Sequence, residues 1–318
     1  MRIIKISKSK LNGSINIPSS KSVAARYLFS SIFSEKNIKI SGFGFNKDIS
    51  SYFNVVKKIK PLSKIEFLSD NKFLIEIDRE INSLLLKKDD KNYISFDCKD
   101  SGFCLRAISI ILSFFPSKSF VKGSKQLLAR PHNMLYKTIK QGKGKIWFSK
   151  EDEGFFIEGP ILPSTFKLNT NISSQHISGL FMTLPFLKGD SVIFLKNYES
   201  SSFIYLTLDI LKRGNLNIEK VEKSKIEKFI YHNYNEKYII KGNSKLDYKS
   251  EEESLLIEAD WSSAANFMVA ATLGGKITFN NLNIDSKQPD AAILEVLKMV
   301  GAEILIDKNI TIKRNELK

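Results

Sequence analysis

Apolar residues at helical spacing alternate along this chain with short apolar runs of strand length, and the alternation recurs four times. The first run begins after Pro18-Ser19-Ser20-Lys21-Ser22, where Val23, Tyr27, Leu28 and Ile32 recur at helical spacing. The pattern predicts a helix to 33, a strand over 37–40, a loop at Asn46-Lys47-Asp48, a helix over 51–59 and a strand ending near 67. A second unit opens at Asp100-Ser101-Gly102, with a helix over 103–115, a strand over 119–121, a loop at 128–131, a helix over 134–141 and a strand over 145–148. The third opens at Ser173-Ser174-Gln175 and runs through a helix to 185, a strand over 191–195, a loop at 199–202, a helix over 205–212 and a strand over 216–218. The fourth opens at Asp260-Trp261-Ser262-Ser263 and repeats the order through 276–279, 285–290, 293–300 and 303–306.

The unit starts lie roughly 70–90 residues apart, too long for an ordinary solenoid, and the order of elements predicts an α/β fold. Two stretches read as linkers, 13–20 and the charged 220–253, the latter with strand-like pieces at 229–231 and 238–240. Each unit opens with small polar residues at a helix start, where capping side chains leave backbone N–H groups and positive dipole charge for an anion. Lys21, Arg26 and Arg130 add full charges. If the units pack around a common axis, these groups converge on a ligand with several anionic groups, and Ser173-Ser174-Gln175 can orient a polyhydroxylated ring.

The formal net charge of +15 points either to nucleic acid or to a strongly anionic small substrate. A bias toward Lys, Ile, Asn, Phe and Ser, all with A/T-rich codons, accounts for the charge equally well. The basic residues are scattered along the sequence, which disfavours nucleic acid as the partner. Cys98 and Cys104 are too few for a secreted disulfide framework, and three histidines make a zinc site improbable, so no metal is expected. No apolar run is long enough to span a bilayer, and alternation at Ile4-Lys5-Ile6-Ser7 reads as a strand rather than a signal peptide. A soluble, cytoplasmic protein is expected.

Five blocks carry a family resemblance. Gly13-x-Ile15-x-Ile17-Pro18-Ser19-Ser20-Lys21-Ser22-x-x-x-Arg26, Ser101-Gly102-x-x-x-Arg106, Ala129-Arg130-Pro131, Ser173-Ser174-Gln175, and Asp260-x-Ser262-Ser263-Ala264 with Gln288-x-Asp290 resemble 5-enolpyruvylshikimate-3-phosphate (EPSP) synthases, in family order. Lys21-Ser22 separates the chain from the sister family acting on UDP-N-acetylglucosamine, which opens with a Lys-Asn pair. The resemblance implies an enolpyruvyl-transferase-like two-domain fold of βαβαββ units, one domain over 20–256 and a partial second over 1–19 plus 257–318. It implies transfer of the enolpyruvyl group of phosphoenolpyruvate to the 5-hydroxyl of shikimate 3-phosphate, with no cofactor. By motif, Lys21, Ser22, Arg26, Ser173, Ser174, Gln175 and Ser200 would hold shikimate 3-phosphate, and Lys21, Gly102, Arg130 and Gln175 would hold phosphoenolpyruvate.

Departures accompany the match. Ser19 replaces Gly, Ala25 replaces Asn, Phe103 follows Gly102, Ala107 stands for Pro and Phe203 for Tyr. Pro289-Asp290-Ala291-Ala292 resembles the catalytic tetrad, yet its place at the start of a helix makes Asp290 a helix-start acid. The chain stops at Lys318, before the family's catalytic Asp and Lys-Glu segment, so no catalytic residue is assigned. Two readings stay open: an active transferase, and a non-catalytic shikimate-3-phosphate-binding remnant or one half of a split enzyme, completed by a C-terminal polypeptide. The partial domain should expose apolar surface.

Overall fold

The computed structural model describes residues 10–44, 46–68, 72–88, 92–169, 174–196, 202–222, 234–248 and 254–314. The strands expected at 4–7 and 229–231 lie outside these residues. The chain forms two compact units, Val23–Leu256 and the pair of segments Met1–Ser22 and Ile257–Lys318.

The larger unit holds three sheets of one design. Strands β2 (Ile38–Gly44), β3 (Leu62–Phe67), β4 (Lys72–Ile77) and β13 (Leu255–Leu256) pair in the order β13-β2-β4-β3. Strands β5 (Ile94–Asp97), β6 (Lys118–Lys122), β7 (Lys145–Ser149) and β8 (Gly154–Glu158) pair as β5-β6-β8-β7. Strands β9 (Thr165–Asn169), β10 (Ser191–Lys196), β11 (Glu219–Lys220) and β12 (Glu236–Ile240) pair as β11-β12-β10-β9. In each, one parallel pair is extended by antiparallel neighbours, as in β5 with β6 and then β8. A parallel pair needs a crossover, and a helix supplies it. Helix α3 (Gly102–Leu112) links β5 to β6, and α6 (Gln175–Thr183) links β9 to β10.

Helices α1 (Lys21–Ser30), α3 and α6 are buried on nearly every side. Their apolar composition allows this, and small residues permit close approach. A Cβ on Gly179 of α6 would lie 3.1 Å from both the Cα and the carbonyl oxygen of Ala107 on α3. Ala107 is thus part of a tight helix contact. Helices α2 (Lys47–Ile59) and α5 (Asn133–Gln141) are amphipathic instead, α2 burying Ile49, Tyr52, Val55, Val56 and Ile59. The short helix α4 (Lys125–Leu128) and α7 (Ser202–Arg213) complete this unit's helices among the described residues.

In the smaller unit, β1 (Leu11–Ile15), β14 (Gly275–Phe279), β15 (Glu303–Ile306) and β16 (Ile310–Lys313) pair as β1-β14-β16-β15. Helices α8 (Trp261–Gly274) and α9 (Ile293–Met299) belong to this unit. Its core gathers Ile17, Trp261, Met268, Phe279, Leu297 and Ile312. The design matches the other sheets with one exchange. Strand β1 precedes α1 in sequence but pairs with β14, while β13 precedes α8 and pairs with β2. On this unit Phe267, Val269 and Leu273 of α8, Met299 of α9, and Leu305 and Ile306 of β15 are exposed.

Three expectations are corrected. Residues 216–218 are not a strand, since β11 begins at Glu219. Neither linker stands: 13–20 holds the end of β1 and the core residue Ile17, and within 220–253 Glu236, Tyr238 and Ile240 alternate with less buried residues and seat β12 in a sheet. Strands β1, β4, β5, β8, β9, β13 and β16 go beyond the predicted set. β8 reads Gly-Phe-Phe-Ile-Glu and is almost wholly buried, so it lacks the alternation that marks a half-buried strand.

Candidate functional site

The site is built at the start of α3. Where β5 ends, Ser101 N–H closes a turn on Cys98 O at 3.0 Å and Lys99 takes a left-handed backbone, φ 51°. Ser101 Oγ accepts from Cys104 N–H at 3.4 Å and donates to the Tyr52 hydroxyl at 3.3 Å, which caps the helix and orients its first turn.

Gly102 is that first residue. A Cβ there would lie 3.2 Å from Arg106 Nη1, 3.4 Å from Arg130 Nη1 and 3.5 Å from Gln175 Oε1. Three polar ends from three elements therefore meet at one point. Arg106 follows Gly102 by one turn of α3, Arg130 sits just past α4, and Gln175 opens α6. Arg106 Nη1 donates to Gln175 Oε1 at 2.7 Å. Arg106 is half-buried and Arg130 exposed. Burial first, and the charge of Arg130 second, hold the Arg106 guanidinium below its usual pKa. Among the described residues no carboxylate forms an ion pair with either arginine. Two guanidinium groups held together without a counter-charge make a receptor for an anion, and their planar forks suit phosphate or carboxylate.

Two histidines lie beside this pair. His176, next to Gln175, is buried, and its Nε2 has no hydrogen-bond partner. Burial, then Arg106, lower its pKa to about 4. His132 follows Arg130-Pro131, and burial with the charges of Arg106 and Arg130 lowers its pKa too.

Arg26 occupies a different setting. It is only 2% exposed, and its Nε donates to Thr207 Oγ1 at 2.8 Å and its Nη2 to Phe203 O at 3.0 Å. Its cation lies 4.9 Å from the Phe103 ring centroid and 5.7 Å from that of Phe203. Burial lowers its pKa to about 9. Phe103 stacks on Phe29 at 5.9 Å, so the bulk that follows Gly102 is taken up in packing.

Lys21 and Ser22 open α1, Lys21 exposed, and are the last residues of the smaller unit's first segment. Ser174 is buried at the start of α6, where its carbonyl accepts from Ser178 N–H at 3.1 Å. Ser173 and Ser200 lie outside the described residues. Of the expected residues, the structure thus brings Gly102, Arg130 and Gln175 together. Arg106 completes the group without having been assigned a role, although its spacing of one helical turn from Gly102 was the available signal. Thr207 and Ser178, joined at 2.9 Å behind Arg26, carried no local signal. In the smaller unit Asp260 caps α8, accepting from Ser263 N–H at 3.3 Å, and Gln288 bridges Trp261 N–H and Ala259 O. Asp290 lies in the 3-10 turn Pro289–Ala292 and accepts from Ser262 Oγ, in keeping with a helix-start acid. Among the described residues no cluster of His, Cys, Asp or Glu is placed to hold a metal, and no helix is long and apolar enough to cross a membrane.

Repeated sheet-and-helix units make this an α/β protein, and the guanidinium pair at a glycine helix start has chemistry that suits an anion. The sequence profile of EPSP synthase (3-phosphoshikimate 1-carboxyvinyltransferase) matches residues 6–318, and the chain belongs to that family. The 3-phosphoshikimate 1-carboxyvinyltransferase of Clostridium novyi (strain NT) is 34% identical over 97% of this chain and 67% of its own length. That of Clostridium perfringens (strain SM101 / Type A) is 33% identical over 96% and 66%. The chain therefore spans about two thirds of the length of these relatives. The solved EPSP synthase of Acinetobacter baumannii shares the fold, with a TM-score of 0.70 and 20% identity, over 97% of this chain and 66% of that one.

Proposed function

We propose that this chain transfers the enolpyruvyl group of phosphoenolpyruvate to the 5-hydroxyl of shikimate 3-phosphate, releasing phosphate. The observation that carries the reading is the Arg106–Arg130 pair meeting Gln175 over Gly102, with no carboxylate neutralising it among the described residues. Phosphoenolpyruvate brings a phosphate and a carboxylate, each a match for a guanidinium fork. The hydrogen at Gly102 leaves the helix start open to the ligand, and N–H groups of the first turn add to the positive field. Gly102, Arg130, Gln175 and Lys21 are assigned to phosphoenolpyruvate. Lys21, Ser22, Arg26, Ser174 and Gln175 are assigned to shikimate 3-phosphate, with Ser173 and Ser200 from outside the described residues. Residues 20–256 would form the domain that carries most of these groups, and 1–19 with 257–318 the other. The reaction needs no cofactor, and the chain would work as a soluble cytoplasmic enzyme.

The comparisons align 97% of this chain with 67% of an enzyme of that name, and they lend no support to loss of activity or to a complementing C-terminal chain. The test is phosphate release in the presence of both substrates. Turnover that requires both, with kcat/KM for phosphoenolpyruvate falling about 10–100-fold in Arg130→Ala, is the expected result. Binding of shikimate 3-phosphate without turnover would replace the transferase with a non-catalytic binding protein.

A further inference from the structure

The turn that presents Arg130 is tied down from behind. The carbonyl of Leu127 accepts the backbone N–H of Arg130 at 3.2 Å, and His132 Nε2 lies 3.1 Å from the same oxygen. His132 is 7% exposed, and its ring stands edge-on to Phe155 with centroids 4.9 Å apart. Its Nδ1 is buried without a hydrogen-bond partner. A neutral imidazole carries one N–H, and here only Nε2 has an acceptor in reach, so the proton belongs on Nε2 and is donated to Leu127 O. Burial and the nearby charges of Arg106 and Arg130 favour that neutral form.

The segment it holds is otherwise tied mostly to itself, by Leu128 N–H to Ser124 O at 2.9 Å and Ala129 N–H to Lys125 O at 3.0 Å. Helix α4 is a single turn of four residues capped by Ser124, and Arg130 is exposed ahead of Pro131. Proline offers no N–H and steers Arg130 away from helical backbone, so the chain leaves α4 at once. We propose that His132 is a positioning residue for Arg130: by donating to Leu127 O it locks the turn that aims the guanidinium at the phosphoenolpyruvate beside Gly102. The ligand named here rests on the functional reading above, whereas the latch itself does not.

Side-chain length supplies the test. The amide nitrogen of Gln can reach where Nε2 reaches, while that of Asn stops near the position of Nδ1. In the full chain, hydrogen exchange at the Arg130 amide should quicken about fivefold in His132→Asn and stay near the parent rate in His132→Gln. Affinity for phosphoenolpyruvate, read by titration, should fall about fivefold in His132→Asn and recover in His132→Gln, with shikimate 3-phosphate affinity unchanged in both. Unchanged exchange in His132→Asn would overturn the proposal, as would an equal loss of both ligands in the two variants. A parent chain that bound no phosphoenolpyruvate would overturn the functional reading, and the exchange rates, which need no ligand, would still decide for or against the latch.

Discussion

Helices α6 and α8 begin alike, each with small polar residues ahead of an apolar run, and they end in different surroundings. In α6 every residue from His176 to Thr183 is buried, and Gly179 lets the helix press against α3. In α8 burial is confined to Trp261, Ala264, Met268, Ala271 and Thr272, one helical face, while Phe267, Val269 and Leu273 stand exposed. A helix enclosed on all sides fixes the side chains at its start, as it does Gln175 against Arg106. A helix with one free face holds its cap equally well but tolerates change along most of its length. Position within the packing, not the local pattern, brings one helix start against a guanidinium.

The sharpest way to break this contrast is acid. His176 in α6 has a folded pKa of about 4, below the ordinary 6.5, so the unfolded chain takes up its proton first as the pH falls. Its neutral burial is harmless above pH 6.5, and stability is lost between pH 6.5 and 4, by roughly 3 kcal/mol. Urea titrations across that window should show the loss in the parent and a flatter profile in His176→Leu. An identical slope in both would remove His176 from the account.

Crowding comes next. Gly179→Ala places a Cβ 3.1 Å from Ala107 backbone, and the expected cost is about 1–3 kcal/mol in urea unfolding. A neutral outcome would mean that α3 and α6 can part without penalty. The caps should respond alike in both units: Ser101→Ala and Asp260→Ala each remove a side-chain acceptor at a helix start, at about 1 kcal/mol. A cap effect limited to one of them would show that helix starts differ by more than packing. The smallest effect belongs to the exposed face of α8, where Phe267→Ser should change stability by less than about 0.5 kcal/mol while lowering the emission of a bound apolar dye. A loss of several-fold more would mean that this face is covered in solution.

Much of this was legible residue by residue. The helix starts at Lys21, Gly102, Gln175 and Trp261 follow small polar residues that cap or turn the chain, and their physics is local. The predicted elements over 134–141, 145–148 and 191–195 fall within α5, β7 and β10 because their periodicity is strong. Buried strands such as β8 escaped, since a run of apolar residues has no period to read.

Residue types, helix starts and the order of the repeated units are properties of neighbours in sequence, and the chain determines them without help. The pairing of Arg106 with Gln175 spans 69 positions and that of Arg26 with Thr207 spans 181. Contacts at such separations depend on where whole helices come to rest. Only the packed structure could decide that Arg26 lies sealed among aromatic rings while Arg106 stands with Arg130 at the open end of α3. The physical reason is burial: packing determines which charges lose their water and which stay in contact with it.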